Sequence, residues 1–244
     1  MRRLIIAGTV LTGVLLAFAP SAMAAPNLDC NGVFVGGVYH DVNVPENGSC
    51  VLNGTTVENN AKAKKNAYLE LNGGSVGHDV TGDKAVTVFV HDGVVIGHNL
   101  QATHGTQQLF AFDSSLTGDG SIKAQDVPKA FGQVNICGMT VSNGNIQVEN
   151  SGHDILVGDP FSGCNGNSIS DNVNVKKNQT DVELIVRGNT VGHDMQVNDN
   201  KGPSDKAVEN NTGGNKLDCH GNQAPFTASG NSGWAQKKNQ CSGP

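Results

Sequence analysis

The sequence predicts an all-β fold: a right-handed parallel β-helix of about nine coils with three short strands per coil. Three observations predict it. Short apolar-x-apolar segments recur every 19 to 27 residues, and glycine and asparagine (32 and 28 of 244 residues) fill the gaps between them. No stretch after residue 25 has the apolar period of a helix. Strands this short cannot form a stable domain by local pairing, but they can when each repeat stacks on the next as a coil.

One series of short strands sets the period. Its successive spacings are 38, 20, 22, 24, 27, 22 and 22 residues, and the first is two periods of 19. A left-handed helix of hexapeptides requires strict multiples of six, whereas a right-handed coil with variable corner loops accepts this drift. The members are Val42/Val44, Ala61/Ala63, Val80, Leu100/Ala102, Ile122/Ala124, Ile146/Val148, Val173/Val175, Met195/Val197 and Leu217/Cys219.

Two further series complete each coil, and alternation along each strand is expected to turn these residues inward. The second series is Val33/Val35, Leu69/Leu71, Val88/Val90, Phe110/Phe112, Val134/Ile136, Ile155/Val157 and Leu184/Val186. The third, shorter series is Val57, Val76, Val94/Ile96, Leu116, Val141, Ile169 and Val191.

The chain divides into three predicted parts. Residues 1–24 read as a secretory signal peptide, because a basic start precedes the apolar run "LIIAGTVLTGVLLAFA" and "SAMA" fits a cleavage site between Ala24 and Ala25. The run is too short for a membrane anchor. Residues 25–220 are predicted to form the β-helix domain, and residues 221–244 a C-terminal capping tail. We therefore expect a secreted, extracellular protein with no membrane span in the mature chain.

The charge balance argues against nucleic-acid binding. The chain has 16 basic and 22 acidic residues. Removing Arg2 and Arg3 with the signal peptide leaves 14 basic residues and a net charge of 14 − 22 = −8. Arg187 is then the only arginine, and it is expected to be a solvated residue at a strand end. Phosphate binding needs clustered Lys and Arg, and the one basic cluster, "AKAKKNA" at residues 61–67, is expected to keep a sheet face or edge solvated.

Six cysteines in an exported chain predict disulfides. Neighbouring coils begin about 20 residues apart, so cysteines one coil apart in sequence can lie side by side, whereas a bridge between the two ends would span roughly 40 Å of stack at about 4.8 Å per coil. The pairs predicted are Cys30–Cys50, Cys137–Cys164 and Cys219–Cys241, the outer two as clamps at the ends of the stack.

A Gly-His-Asp or Gly-His-Asn phrase recurs at His78, His98 and His193. Stacked coils would place His78 over His98, so these three histidines are weak candidates for a transition-metal site. The alternative is a structural corner in which Gly supplies an unusual dihedral angle and Asp or Asn caps the turn. Other coils have "GDGSI" and "NGNI" at this place, without His. We therefore favour the corner and expect neither a metal nor another cofactor.

The predicted architecture resembles that of the pectin-lyase-like β-helix proteins, and "NIQVENSG", "VKKN" and "NKLDCHGN" resemble segments of uncharacterised exported actinobacterial β-helix proteins. Galacturonan hydrolases of the pectin-lyase-like fold carry "NTD", "DD", "GHG" and "RIK", none of which occurs here. The leading prediction is therefore a secreted structural or interaction protein with no catalytic site. The alternative is a protein that binds or cleaves polysaccharide. Its partner would be an extracellular glycan or another protein, and a face combining acidic groups with an aromatic would favour the glycan.

Overall fold

The computed structural model describes residues 24–242, and there the short apolar repeats form strands of three parallel sheets. Each coil but the last gives one strand to each sheet in turn. Neighbouring coils pair in register, with Val80 beside Leu100 and Val88 beside Leu109. The chain is thus a parallel β-helix solenoid, and the prediction of an all-β solenoid is confirmed. The predicted signal peptide lies outside the described residues, apart from Ala24.

The three sheets are named in the order in which a coil visits them. Sheet 1 contains β1 Leu28–Asp29, β4 Val42–Val44, β7 Ala61–Ala63, β10 Val80–Asp83, β13 Leu100–Thr103, β16 Ile122–Gln125, β19 Ile146–Glu149, β22 Val173–Lys176, β25 Met195–Asn198, β28 Lys216–His220 and β30 Gln236–Asn239. Sheet 2 contains β2 Gly32–Val35, β5 Ser49–Asn53, β8 Tyr68–Asn72, β11 Thr87–His91, β14 Gln108–Phe112, β17 Gln133–Cys137, β20 Gly152–Val157, β23 Gln179–Arg187, β26 Asp205–Glu209 and β29 Phe226–Ser229. Sheet 3 contains β3 Val38–Tyr39, β6 Thr56–Val57, β9 Ser75–Val76, β12 Val95–Ile96, β15 Ser115–Leu116, β18 Thr140–Val141, β21 Ser168–Ile169, β24 Thr190–Val191 and β27 Thr212–Gly213. A 3₁₀ turn, η1 Pro160–Ser162, follows β20.

The core is a set of apolar columns that run along the solenoid axis. In sheet 1, Leu100, Ile122 and Ile146 stack in register in successive coils, and all three are fully buried. Each such side chain contributes roughly 1.5–3 kcal/mol when it leaves water. Since every coil supplies the same positions, the core grows by one layer per repeat. This explains how strands of a few residues form a stable fold.

The structure has about ten coils, one more than the sequence count of about nine. Sheet 1 begins with the two-residue strand β1 and ends with the polar strand β30, neither of which has the apolar-x-apolar pattern. In sheet 2, β26 was missed because Lys206 faces inward, in register with Leu184 and Phe226. Its ammonium donates hydrogen bonds to the carbonyl oxygens of Gly202 (2.8 Å) and Ser204 (2.7 Å). A buried lysine in a core position hides a strand from a hydrophobicity pattern.

The predicted inward face was wrong for two strands of sheet 2. In β14, Leu109 and Ala111 are buried, while Phe110 and Phe112 lie on the outer face. In β2, Phe34 packs against the core, and the valines on either side of it, Val33 and Val35, are 66% and 81% exposed. A strand whose residues are all apolar offers two possible faces, and a shift of one residue exchanges them. Register with the neighbouring coils makes the choice.

Two corners of the solenoid carry ladders of buried asparagines. Between sheets 2 and 3, Asn167, Asn189 and Asn211 lie one above another, and each Oδ1 accepts the backbone N–H of the corresponding residue one coil earlier. Asn178 and Asn200 do the same between sheets 1 and 2. Each Nδ2 also donates to a strand carbonyl, such as Val157 O for Asn189 at 2.7 Å. The side chains thus satisfy backbone groups that the turning chain leaves unpaired.

The three disulfides are the sequential pairs predicted from the sequence. The Cα atoms of Cys30 and Cys50 are 5.5 Å apart, those of Cys137 and Cys164 5.0 Å, and those of Cys219 and Cys241 5.2 Å. These distances are ordinary for a disulfide. Each bridge joins neighbouring coils, as the stacking argument requires.

The predicted capping tail continues the solenoid. Its strands β29 and β30 pair in parallel with β26 and β28 and so extend sheets 2 and 1. Trp234 covers the end of sheet 3: the indole lies against Gly213, and Nε1 donates to Asn211 O at 3.4 Å. Only 8% of Trp234 is exposed. Residues 24–242 contain no helix of the length and apolarity needed to cross a membrane.

Candidate functional site

The Gly-His-Asp corners lie between sheets 3 and 1. The imidazole rings of His78 and His98 stack with centroids 5.1 Å apart and planes inclined by 13°. Both rings are exposed. The residues that follow them carry the contact between coils, because Asp79 Oδ1 accepts the backbone N–H and the Nδ2 group of Asn99, both at 3.0 Å.

The same kind of hydrogen bond joins successive coils along this corner. Most coils place an oxygen-bearing side chain just before the sheet 1 strand, and that oxygen accepts the backbone N–H of the next coil. Several coils have no His at this corner, and there Asn60, Ser121 or Asn145 performs this role. The series is Asp41, Asn60, Asp79, Asn99, Ser121, Asn145, Asn172 and Asp194. The Asx residue of the phrase therefore closes the corner, and His is dispensable to it.

The glycine of the phrase has a different role from the one expected. Neither Gly77 nor Gly97 has a left-handed backbone conformation. A Cβ on Gly97 would instead overlap the carbonyl oxygen of Gly77, and one on Gly77 would overlap that of Glu58. Because the coils approach so closely at this corner, only glycine fits. The unusual dihedral predicted from the sequence is not what selects it.

The metal candidates do not converge. His193 precedes β25, four coils beyond His98 in sheet 1. His40, at the same corner, has Nδ1 3.5 Å from Glu58 Oε2. Across residues 24–242, no group of three or more His, Cys, Asp or Glu side chains is arranged to hold a metal ion.

Arg187 is not the solvated strand-end residue expected from the sequence. Its Nη1 lies 2.6 Å from Asp159 Oδ1, and its Nη2 lies 2.7 Å from Glu209 Oε2. Phe161 lies over the guanidinium, with 5.1 Å from Cζ to the ring centroid. Only 15% of the arginine side chain is exposed. The single guanidinium of residues 25–244 is thus held by the protein's own groups.

A concave surface lies on the outer face of sheet 2. Aromatic side chains from β11 and β14 meet the loop closed by the Cys137–Cys164 bridge, and together they border a cavity of about 550 Å³. A second hollow of about 370 Å³ adjoins it and shares two of its phenylalanines. We call the two together the aromatic groove. It is lined by Tyr68, Thr87, Phe89, His91, Asp92, Gln108, Phe110, Phe112, Asp113, Asn135, Cys137, Leu156, Ser162, Gly163, Cys164 and Asn165.

The floor of the groove is a cluster of partly exposed rings. Phe89 stacks on His91 at 4.2 Å between centroids and meets Phe110 and Phe112 edge-on at 5.9 and 5.7 Å. Outward alternation in two adjacent strands places these rings on one face. The sequence signal was present in "VFVH" and "LFAF", but assigning Phe110 and Phe112 to the core concealed it.

A chain of polar contacts borders the rings. The Tyr68 hydroxyl donates to Glu70, whose Oε1 lies 3.1 Å from His91 Nε2. His91 Nδ1 lies 3.0 Å from Asp92 Oδ2. Burial, the hydrogen bond to Glu70 and the charge of Glu70 raise the pKa of Tyr68 to about 12. Asn135 Oδ1 is buried beside the groove and has no hydrogen-bond partner within the described part of the chain.

The outer face becomes acidic further along sheet 2. Asp154, Glu183 and Asp205 pair in register on three adjacent strands, and we call them the acid row. Burial raises the pKa of Asp154. Burial, followed by the charges of Asp154 and Asp159, raises the pKa of Glu183. A hollow of about 330 Å³ lies beside the row, bordered by Glu183, Asp205 and Arg187.

Comparison of the chain with protein-family models, curated proteins and solved structures finds no match. The structure shows a parallel β-helix solenoid, and the resemblance to pectin-lyase-like proteins stays a prediction. Kinship with exported actinobacterial proteins stays a prediction.

Proposed function

We propose that this chain is an exported glycan-binding solenoid, with the aromatic groove on sheet 2 as its binding surface. The observation that carries the proposal is the cluster of Phe89, Phe110 and Phe112 on a solvent-facing sheet. Partly exposed aromatic rings that line a concave surface are typical of ligand-binding sites. Sugar rings present C–H faces that stack on aromatic rings, so an exposed, ringed sheet face suits them.

The polar groups around the rings fit the same ligand. Asn135 Oδ1 is an unused acceptor, and the side chains of Gln108, Asn165 and Asp113 supply planar amide and carboxylate groups at the rim. Such groups hydrogen-bond to hydroxyls as donors or acceptors. Apolar rings with a few placed polar groups are typical of small-molecule binding sites.

Binding without cleavage is the simpler activity for this surface. Arg187 is engaged by two carboxylates and is not free to hold a substrate's acidic group. Export is supported by the three disulfides together with the predicted signal peptide, because such bridges form in oxidising compartments. The partner of the predicted interaction protein is thus a glycan.

The decisive experiment is an oligosaccharide array with the disulfide-bonded protein of residues 25–244, followed by calorimetry on the best ligand. We expect Phe110→Ala to weaken binding by roughly 3- to 10-fold, since one aromatic contact contributes about 0.5–1.5 kcal/mol. Phe131→Ala is the matched control, because that ring is 54% exposed and does not line the groove. Absence of binding to any oligosaccharide, or equal losses in both variants, would refute the proposal.

A second experiment uses the loop at the edge of the groove. Cys137→Ser/Cys164→Ser opens a 27-residue loop that borders the cavity, whereas Cys30→Ser/Cys50→Ser opens a 20-residue loop at the first end of the stack. Each change should cost on the order of 3 kcal/mol of stability. Only the first should also weaken glycan binding. Equal binding by the two double variants would exclude the loop from the site.

A further inference from the structure

Within residues 24–242, the outer face of sheet 2 carries a series of carboxylates. Asp92 and Asp113 line the aromatic groove, and the acid row continues the face for three more coils. Asp92 is well exposed, at 70% of its side chain. Asp92 therefore faces solvent or a ligand, whereas Asp154 in the acid row is partly buried, and its Oδ1 has no hydrogen-bond partner within the described residues.

Every basic group that borders the three hollows is already engaged, within residues 24–242. His91 lies between Glu70 and Asp92. Arg187 lies between Asp159 and Glu209. The Lys206 ammonium points inward and donates to backbone carbonyls. A uronate or sulfated glycan would find repulsion here and no partner.

A positively charged sugar would interact favourably with both the aromatic groove and the acid row. An ammonium group is attracted to aromatic ring faces and forms charge-assisted hydrogen bonds with carboxylates. Strands of neighbouring coils are about 4.8 Å apart. The carboxylates of the acid row repeat at that interval along the solenoid axis, which is close to the length of one sugar unit in an extended chain.

We propose that the aromatic groove, extended by the acid row, selects a glycan of hexosamine units whose amines are free and protonated, running along the solenoid axis. This inference rests on the proposed glycan-binding function and names its ligand class. The rings of Phe89 and Phe110 hold the sugar faces, and Asp92 and Asp113 accept hydrogen bonds from the amines at the groove. The acid row receives the amines of the following units.

The proton affinity of the acid row supports this assignment. Asp154 and Glu183 have raised pKa values, and mutual repulsion contributes to that of Glu183. A bound ammonium would lower both pKa values, because it favours the charged carboxylates. Binding should therefore release protons in weakly acidic buffer and strengthen as pH rises, until the amines of the ligand lose their charge.

The test compares three probes by calorimetry: a β-1,4-linked glucosamine hexamer, its fully N-acetylated counterpart and hexalysine. We expect the glucosamine hexamer to bind at least tenfold more tightly than the other two, and its affinity to fall as salt is raised. Equal or tighter binding of the acetylated hexamer would overturn the inference and leave the proposed function standing. Equal binding of hexalysine would show that charge alone suffices, which also overturns it. If no glycan binds, both proposals fail.

Two substitutions locate the charge effect. Asp92 and Asp113 have positive φ values of 57° and 43°, a conformation that asparagine also tolerates, so Asp92→Asn/Asp113→Asn keeps the backbone. The double variant should lose about 2- to 30-fold in affinity for the glucosamine hexamer, as expected of two exposed ion pairs. It should change little for the acetylated one. Asp119→Asn, an exposed corner residue outside the groove, is the control and should leave both affinities unchanged. A double variant that binds the glucosamine hexamer like the control would overturn the assignment of these carboxylates.

Discussion

Asn189 offers the sharpest test of what holds the coils together. Its Oδ1 accepts the backbone N–H of Asn167 at 3.0 Å and the Nδ2 of the same residue at 2.8 Å. Its Nδ2 donates to Val157 O at 2.7 Å and to Asn211 Oδ1 at 3.0 Å. Only 1% of Asn189 is exposed. Alanine at this position would remove all four bonds from an interior that water does not reach.

The expected cost follows from the groups left unpaired. Each buried donor or acceptor without a partner costs about 1–3 kcal/mol, and two or three would be left here, so Asn189→Ala should destabilise the fold by about 3–5 kcal/mol. For a domain of this size, that corresponds to a fall in melting temperature of about 6–20 °C. Calorimetry and urea unfolding of the disulfide-bonded protein would measure it.

Two further variants test whether the buried hydrogen bonds cause this loss of stability. Asn174→Ala, on the outward side of β22, should change stability by no more than about 0.5 kcal/mol. Asn189→Asp keeps the acceptor but turns a carboxylate toward two acceptors, which raises its pKa in the folded state. Its deficit should therefore shrink as pH falls toward the unfolded value, near 4. A loss of stability in Asn189→Ala no larger than that in Asn174→Ala would show that the buried asparagines do not hold the coils together.

The remaining predictions concern the close corner and the acid row. Gly97→Ala should prevent normal stacking of the coils or cost several kcal/mol of stability. Gly93→Ala should cost only about 1–2 kcal/mol, because Gly93 has a φ of +79° but open space around it. Thermal unfolding compares the two variants, and equal losses would show that close approach of the coils is not what requires Gly97. Asp154→Asn/Glu183→Gln should stabilise the protein at pH 7 relative to the native chain and lose that advantage near pH 3. The reason is that both carboxyl groups have a higher pKa in the folded protein than in the unfolded chain. They therefore stabilise the fold only at low pH, and this stabilisation is lost as the pH rises through their folded-state pKa values. A gain independent of pH would show that charge is not the cause.

The disulfides and most of the core were predictable because they follow from spacing alone. Cysteines one coil apart must meet when coils stack in register, wherever the chain turns. The same holds for Leu100 and Ile122, whose positions recur with the period. The corner of His78 and His98 was also placed correctly, because it precedes a strand in the same way in each coil.

The glycan-binding candidate was hidden by a choice that local sequence does not make. In "QLFAF" every residue from Leu109 to Phe112 is apolar, so alternation alone allows either face to be inward. Stacking against Val88 and Val134 buries Leu109 and sends Phe110 outward. The missing strand at Lys206 has the same origin, since only the neighbouring backbone carbonyls make a buried ammonium tolerable there.

The sequence by itself determined the period, the all-β solenoid and the pairing of the cysteines, because each depends only on regular spacing along the chain. The tertiary structure decided which face of each sheet 2 strand is buried. The close approach of the coils explains why glycine occupies the corner between sheets 3 and 1. The tertiary structure also decided which carboxylates pair with Arg187. Those outcomes depend on distances between residues about 20 or more positions apart, which exist only once one coil lies on the next.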